Sequence, residues 1–211
     1  MNQSEEESEE AIDRIAAFLP EQMRRQARLV RANAEEVLDA SEDVYRLIKG
    51  CMTVWRDALG DEWMLQFMIE GDWLVEMAPT GHAVHGDWMA RCERDSLLLA
   101  IPIPVFNQCL THDAGFALTW CAKLSGQMSR LHRQTERLRM PQVSDRITHY
   151  LATESVNGCG EITLPFPKYL WAAQLGIAPE TLSRSLLQLE TDGRIERRSN
   201  RCLSLRRGCV S

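Results

Sequence analysis

Glu180, Ser183 and Arg184 are three hydrogen-bonding side chains of different type, set within about one helical turn of one another. An arginine fork can donate two hydrogen bonds to the O6 and N7 of a guanine. A glutamate can accept from a cytosine amino group, and a serine can reach a thymine or adenine edge. Residues four apart share a helix face, so a carboxylate at 180 can also hold the arginine at 184. The chemistry is the reading of a few base edges, carried out near the N-terminus of a helix in a major groove.

The elements that must position these groups are visible around them. Trp171-Ala-Ala-Gln-Leu-Gly-Ile-Ala-Pro-Glu-Thr-Leu-Ser-Arg-Ser-Leu-Leu-Gln-Leu-Glu190 reads as two helices and a tight turn. Ala172 and Leu175 close the first helix, and Gly176 sits where a helix ends in a left-handed residue. Pro179 suits the first position of the second helix, where its missing N–H would have had no partner. Leu182, Leu186 and Leu189 recur at helical spacing as an inner face, with Glu180, Ser183, Arg184 and Gln188 opposite. A helical hairpin with a solvated face has the same pattern, so the flanks decide. Glu161-Ile-Thr-Leu164 reads as a short strand ended by Pro165. Asp192-Gly193 breaks the second helix, Ile195 opens another strand, and Ser199-Asn200 turns it back. Leu203 and Leu205 then alternate with Arg201, Ser204 and Arg206. A hairpin in that place is a wing, and Arg194, Arg197, Arg198 and Arg201, with Arg206 and Arg207, suit phosphate contact. The pattern predicts a winged helix-turn-helix.

The run Leu175-Gly-Ile-Ala-Pro-Glu-Thr-Leu-Ser-Arg184, followed by Leu189-Glu190, Gly193 and Ile195, resembles the DNA-binding module of the Crp/Fnr transcription regulators. The likeness is close from Val143 to Leu205; before residue 140 it rests on domain order. It implies an α+β chain with a β-roll of the cyclic-nucleotide-binding type (a jelly roll), a long dimerisation helix and a C-terminal winged helix-turn-helix. It also implies double-stranded DNA, a second copy of the chain and RNA polymerase as partners. Glu-x-x-Ser-Arg resembles the fumarate–nitrate and nitric-oxide-responsive branch, which implies a palindrome with TTGAT-like half-sites. Ala178 stands where the family has a capping Ser or Thr, a loss of about 1 kcal/mol partly offset by Pro179.

Charge is divided unevenly. The chain of 211 residues has a net charge of −6, yet residues 141–211 hold 9 Lys and Arg against 7 Asp and Glu. An acidic front and a basic end suit a chain that meets nucleic acid with one domain only. No run of about eighteen apolar residues exists, so no membrane span is expected. The acidic start lacks a signal-peptide pattern, and seven scattered cysteines do not form a secreted disulfide framework. A cytoplasmic protein is expected.

In chain order, residues 1–10 read as a disordered acidic lead. Residues 11–115 read as a sensor β-roll preceded by two short helices, which Pro20 splits within 11–31. Short apolar runs at Val44–Ile48, Met52–Arg56, Trp63–Ile69, Trp73–Glu76, Trp88–Cys92 and Leu97–Ile101, punctuated by Gly and Pro, predict the strands. Residues 116–140 read as the dimerisation helix. Ala117, Leu124, Leu131 and Leu138 repeat every seven residues, with Trp120 and Met128 beside them. Such a stripe wants a partner helix, although one that packs on its own β-roll would look alike. Met140-Pro141 reads as a hinge to the DNA-binding domain at 141–211.

The signal is open. In relatives that bind cyclic AMP a Glu holds the ribose and an Arg-Ser pair the phosphate. Glu76 matches the first, but Gly86 and Asp87 stand at the pair, and a carboxylate there repels phosphate. A shifted alignment would revive Arg91 or Arg94. Cys51, Cys92, Cys109 and Cys121 are too far apart for an iron–sulfur cluster. The resemblance leaves haem on His82, His85 or His132 as one alternative, and a thiol switch at one of those cysteines as another; each residue reads equally as ordinary packing or surface. No cofactor or metal is otherwise indicated, and the effector-binding residues are unknown. No nucleophile–base pair, phosphate loop or metal spacing marks an enzyme. An adaptor acting through protein contacts is the competing class, and it gives no reason for both the base-reading face and the arginine wing.

Overall fold

Runs of large apolar residues bounded by turns fold into sheets, and two of them, in Asp43–Lys49 and Ser96–Pro102, lie side by side. The computed structural model describes residues 19–58, 61–75, 88–155, 161–164, 166–199 and 201–206. The chain divides into two compact units, Met1–Leu124 and Ser125–Ser211. That division falls inside the long helix, not at Pro141. The acidic lead, the first of the two N-terminal helices, Glu76, His82, His85, Gly86, Asp87 and Arg207 lie outside the described residues.

Among the described residues the first unit has a short helix, α1 (Glu21–Gln26), and eight strands after it. They are β1 (Arg28–Ala32), β2 (Val37–Leu38), β3 (Asp43–Lys49), β4 (Met52–Ala58), β5 (Asp61–Met68), β6 (Trp73–Leu74), β7 (Trp88–Cys92) and β8 (Ser96–Pro102). They form two antiparallel sheets in the orders β1-β8-β3-β6 and β2-β7-β4-β5. The expected second helix stops at Gln26, and Arg28–Ala32 is a strand. Its backbone pairs residue by residue with Ser96–Ala100, and that sheet contact overrides local helical preference.

One apolar cluster joins the sheets through Leu47, Met52, Met68, Leu98 and Ala100. A second lies on the opposite face of β3 and β8. There Val44, Ile48, Leu99 and Ile101 meet helix α2 (Ile103–His112) and the start of α3 (Ala114–Arg139). Sequence analysis assigned no element to α2. Its Phe106 is the centre of an aromatic group, 4.9 Å from Trp120, 5.7 Å from Phe116 and 5.8 Å from Trp73 by ring centroids. Edge-on contacts of this kind add to the area the rings bury.

The second unit starts with the later turns of α3. It continues through α4 (Val143–Glu154), β9 (Glu161–Thr163), α5 (Lys168–Gln174), α6 (Pro179–Thr191), β10 (Ile195–Arg197) and β11 (Cys202–Leu205). The strands form one antiparallel sheet in the order β10-β11-β9. Ile147, Leu151, Leu170, Trp171, Leu182, Leu186, Leu189 and Leu203 make its core, every one of them 2 % exposed or less.

Candidate nucleic-acid interface

Helix α5 ends as its sequence requires. Gly176 has φ +66°, its N–H donates to the Ala173 carbonyl at 3.0 Å, and the Ile177 N–H donates to the Ala172 carbonyl at 3.0 Å. This paired closure redirects the chain into α6. A methyl group on Gly176 would also stand 2.9 Å from Leu138 Cδ2. Arg146 braces the same turn, with Nη1 donating to the Leu175 carbonyl at 3.0 Å and Nε donating to the Met140 carbonyl at 2.8 Å. Sequence analysis missed Arg146; its acceptors are carbonyls, which leave no residue-type signature.

Helix α6 begins at Pro179 with Ala178 in the capping position and no side chain bonded to its first N–H groups. Leu182, Leu186 and Leu189 are buried, while Glu180, Ser183, Arg184 and Gln188 are exposed. The three base-reading candidates thus stand on one outward face. The Ser183 hydroxyl donates to the Pro179 carbonyl at 3.0 Å, and Arg184 Nε donates to the Glu180 carbonyl at 3.5 Å. Glu180 therefore holds Arg184 through its backbone oxygen, not through the carboxylate that the spacing suggested.

The wing arginines are not equivalent. Arg201 lies exposed in the turn between β10 and β11. Arg198 is exposed too, but Nη1 is 3.0 Å from Glu161 Oε1 and Nε is 3.9 Å from Glu196 Oε1. Arg197 is half-buried and 3.3 Å from Glu190 Oε2. Arg194 Nη2 donates to Thr148 Oγ1 at 3.5 Å, and its carbonyl accepts the Arg206 N–H at 3.0 Å. The structure brings Arg198 and Arg201 together at the wing, and sets Arg194 and Arg197 against the body of the domain.

Along α3, Leu124, Met128, Leu131 and Leu138 are 44 %, 58 %, 44 % and 43 % exposed, and Ala117 is half-buried. Trp120 differs from the rest of the stripe: it is 8 % exposed and packs edge-on against Trp73 and Phe106 within the first unit. A seven-residue count cannot say which side of a helix meets its own domain.

Cys92 and Cys109 are buried. Burial pushes the Cys92 thiol up to about 11 and raises Cys109, which leaves little thiolate for redox chemistry. His132 is exposed on α3. Among the described residues no three His, Cys, Asp or Glu side chains group as a metal site.

Residues 145–207 match the family model of the Crp-like helix-turn-helix domain. The C-terminal unit is a Crp-like helix-turn-helix domain. The chain as a whole is similar in fold to FixK2 from Bradyrhizobium japonicum, with a TM-score of 0.67, 20 % identity and coverage of 85 % of this chain and 92 % of that one. A CooA mutant from Carboxydothermus hydrogenoformans matches with a TM-score of 0.68, 19 % identity and coverage of 86 % and 84 %. CLP of Xanthomonas campestris, described as a c-di-GMP responsive global regulator, matches with a TM-score of 0.61, 20 % identity and coverage of 88 % and 96 %. No curated protein sequence matches. The α+β architecture is therefore the fold of these regulators, in which α5 and α6 form the helix-turn-helix and β10–β11 the hairpin that follows it. Among the described residues no helix is long and apolar enough to cross a membrane.

Proposed function

We propose that the chain is a sequence-specific transcription regulator that binds double-stranded DNA as a homodimer in the cytoplasm and acts on RNA polymerase. The observation that carries this reading is the exposed Glu180–Ser183–Arg184 face on the second helix of a winged helix-turn-helix whose apolar side is buried. Arg184 reads a guanine, Glu180 and Ser183 read its neighbours, and Arg198 and Arg201 meet phosphates. The half-sites are TTGAT-like, arranged as a palindrome. Dimer contact runs through Leu124, Met128 and Leu131, a row of large apolar side chains that a lone helix leaves to water.

Selection of binding sites from random duplex DNA by the full-length protein tests the reading. The expected result is a two-fold symmetric consensus, with one guanine per half-site that depends on Arg184. Recovery of no enriched sequence at low salt would sink it.

A further inference from the structure

The first unit contains a pocket of about 270 Å³ on the outer face of β3, under the start of α3. Its walls are Leu19, Trp73, Phe116 and Trp120, with Arg46 inside and Lys123 on the exposed rim. Arg46 and Trp73 are direct cross-strand partners, and the guanidinium carbon lies 5.5 Å from the Trp73 ring centroid.

Arg46 is an unusual wall residue. Its Nε is buried and has no hydrogen-bond partner, and among the described residues no carboxylate pairs with the guanidinium. Burial alone acts on this group and lowers its pKa. A guanidinium cannot escape by losing its proton at neutral pH, so among the described residues this half-buried cation stands uncompensated beside an apolar space. A carboxylate would supply the missing charge and accept two parallel hydrogen bonds from the fork. Lys123 stands in solvent on the rim, which leaves Arg46 as the one cation inside, and one cation matches a monoanion better than a phosphate dianion. Trp73 and Trp120, set edge-on to each other, and Phe116 give the space aromatic walls, which suit an aromatic body over a bulky aliphatic one.

We propose that this pocket binds a small organic acid with one aromatic ring, its carboxylate on Arg46 and its ring among Trp73, Phe116 and Trp120. Phe116, Trp120 and Lys123 belong to α3, the helix assigned to dimer contact, so occupancy acts on the element that sets the dimer. In that role the site deepens the regulator reading and rests on it; binding itself does not.

The test uses full-length protein without DNA, with benzoate and phenylacetate as acids and phenylacetamide as the neutral match. Calorimetry gives affinity, and fluorescence of Trp73 and Trp120 reports occupancy. At least one acid saturates the protein and binds about tenfold or more tighter than the amide, a difference of about 1.4 kcal/mol. Arg46→Gln abolishes that preference while Arg46→Lys keeps part of it. Lys123→Gln, on the exposed rim, leaves the fold intact and weakens acid binding by only about two- to threefold. Absence of saturable acid binding up to about 1 mM overturns the proposal, as does an amide that binds equally well to the wild type. DNA selection without acid binding sinks this site and leaves the regulator reading in place; acid binding without DNA selection does the reverse.

Discussion

Arg137 Nη1 lies 2.9 Å from Glu154 Oε1, and Arg133 Nε is 3.2 Å from the same oxygen. Arg137 is 1 % exposed, donates to Thr153 Oγ1 at 3.2 Å and stacks 4.9 Å from the Tyr150 ring centroid. Two basic residues of α3 and one acid of α4 thus fasten the helices across Pro141. The turn that reads as a hinge in sequence is clamped on both sides.

Burial alone would raise the Glu154 carboxyl, but hydrogen bonds and charge from Arg133 and Arg137 outweigh it and hold the group low. A depressed carboxyl contributes stability that is present above its ordinary value of 4.5 and lost as pH falls below it. Urea unfolding of the wild type should weaken from pH 5 toward pH 3 more steeply than that of Glu154→Gln. Arg137→Met removes one of the two basic partners of Glu154 and leaves Arg133 in place, so it should cost about 1–3 kcal/mol at neutral pH. Parallel pH profiles for the wild type and Glu154→Gln would refute the linkage.

Arg184→Ala should cost about 1–3 kcal/mol on the preferred sequence and relax the choice of guanine at one position per half-site. Among the described residues Arg184 is held by a long bond to the Glu180 carbonyl, so little would be lost if it turned to a base. Fluorescence anisotropy on single-base variants of the consensus gives the answer. An unchanged base preference would remove α6 from the role of reader.

Glu161 pairs with Arg198, so on the regulator reading it would compete with phosphate for that side chain. An exposed ion pair is worth about 0–1 kcal/mol, so releasing it is cheap. Glu161→Gln should therefore tighten binding to all duplexes alike, by a few-fold at low salt, with the effect fading as salt rises. Arg201→Ala should act in the opposite sense and flatten the salt slope. A change in sequence preference from either variant would contradict a phosphate role.

Leu124→Glu with Leu131→Glu should convert a dimer to a monomer in sedimentation, because like charges would meet in the seam. Cys121 is exposed and falls beside the same stripe. Mild oxidation should link two chains through it if the helices run parallel and in register. A wild type that sediments as a monomer at micromolar concentration would end the dimer reading.

Gly176→Ala would strain a residue at φ +66° and press a methyl on Leu138. The expected loss is about 1–2 kcal/mol, with Gly176→Asn milder because asparagine tolerates the left-handed region. Thermal unfolding of the two variants should rank them in that order.

The residues explain how much could be read in advance. Gly176, Pro179 and Leu182–Leu186–Leu189 are local signals, each with a backbone or periodic cause, and the helix-turn-helix follows from them. Leu124, Met128 and Leu131 were legible as a stripe, but Trp120 was not separable from it, since its partners Trp73 and Phe106 lie 47 and 14 residues away. Arg28–Ala32 became a strand through pairing with β8, which no window of neighbours contains. The Arg133–Arg137–Glu154 clamp and the Arg46 pocket are likewise products of tertiary contact. Each places an ordinary charged residue beside a partner that sequence distance hides.

Ala178 has a further consequence. With alanine at the cap and proline after it, the N–H groups of Glu180 and Thr181 start α6 without a side-chain acceptor. Without that cap the first turn of α6 should open more readily and exchange its amide hydrogens well before the Leu182–Leu189 segment does. On the regulator reading, firmness at the contact surface is then acquired in the complex instead of being built beforehand. Association should consequently carry an ordering entropy that a serine-capped version of the same helix would not show.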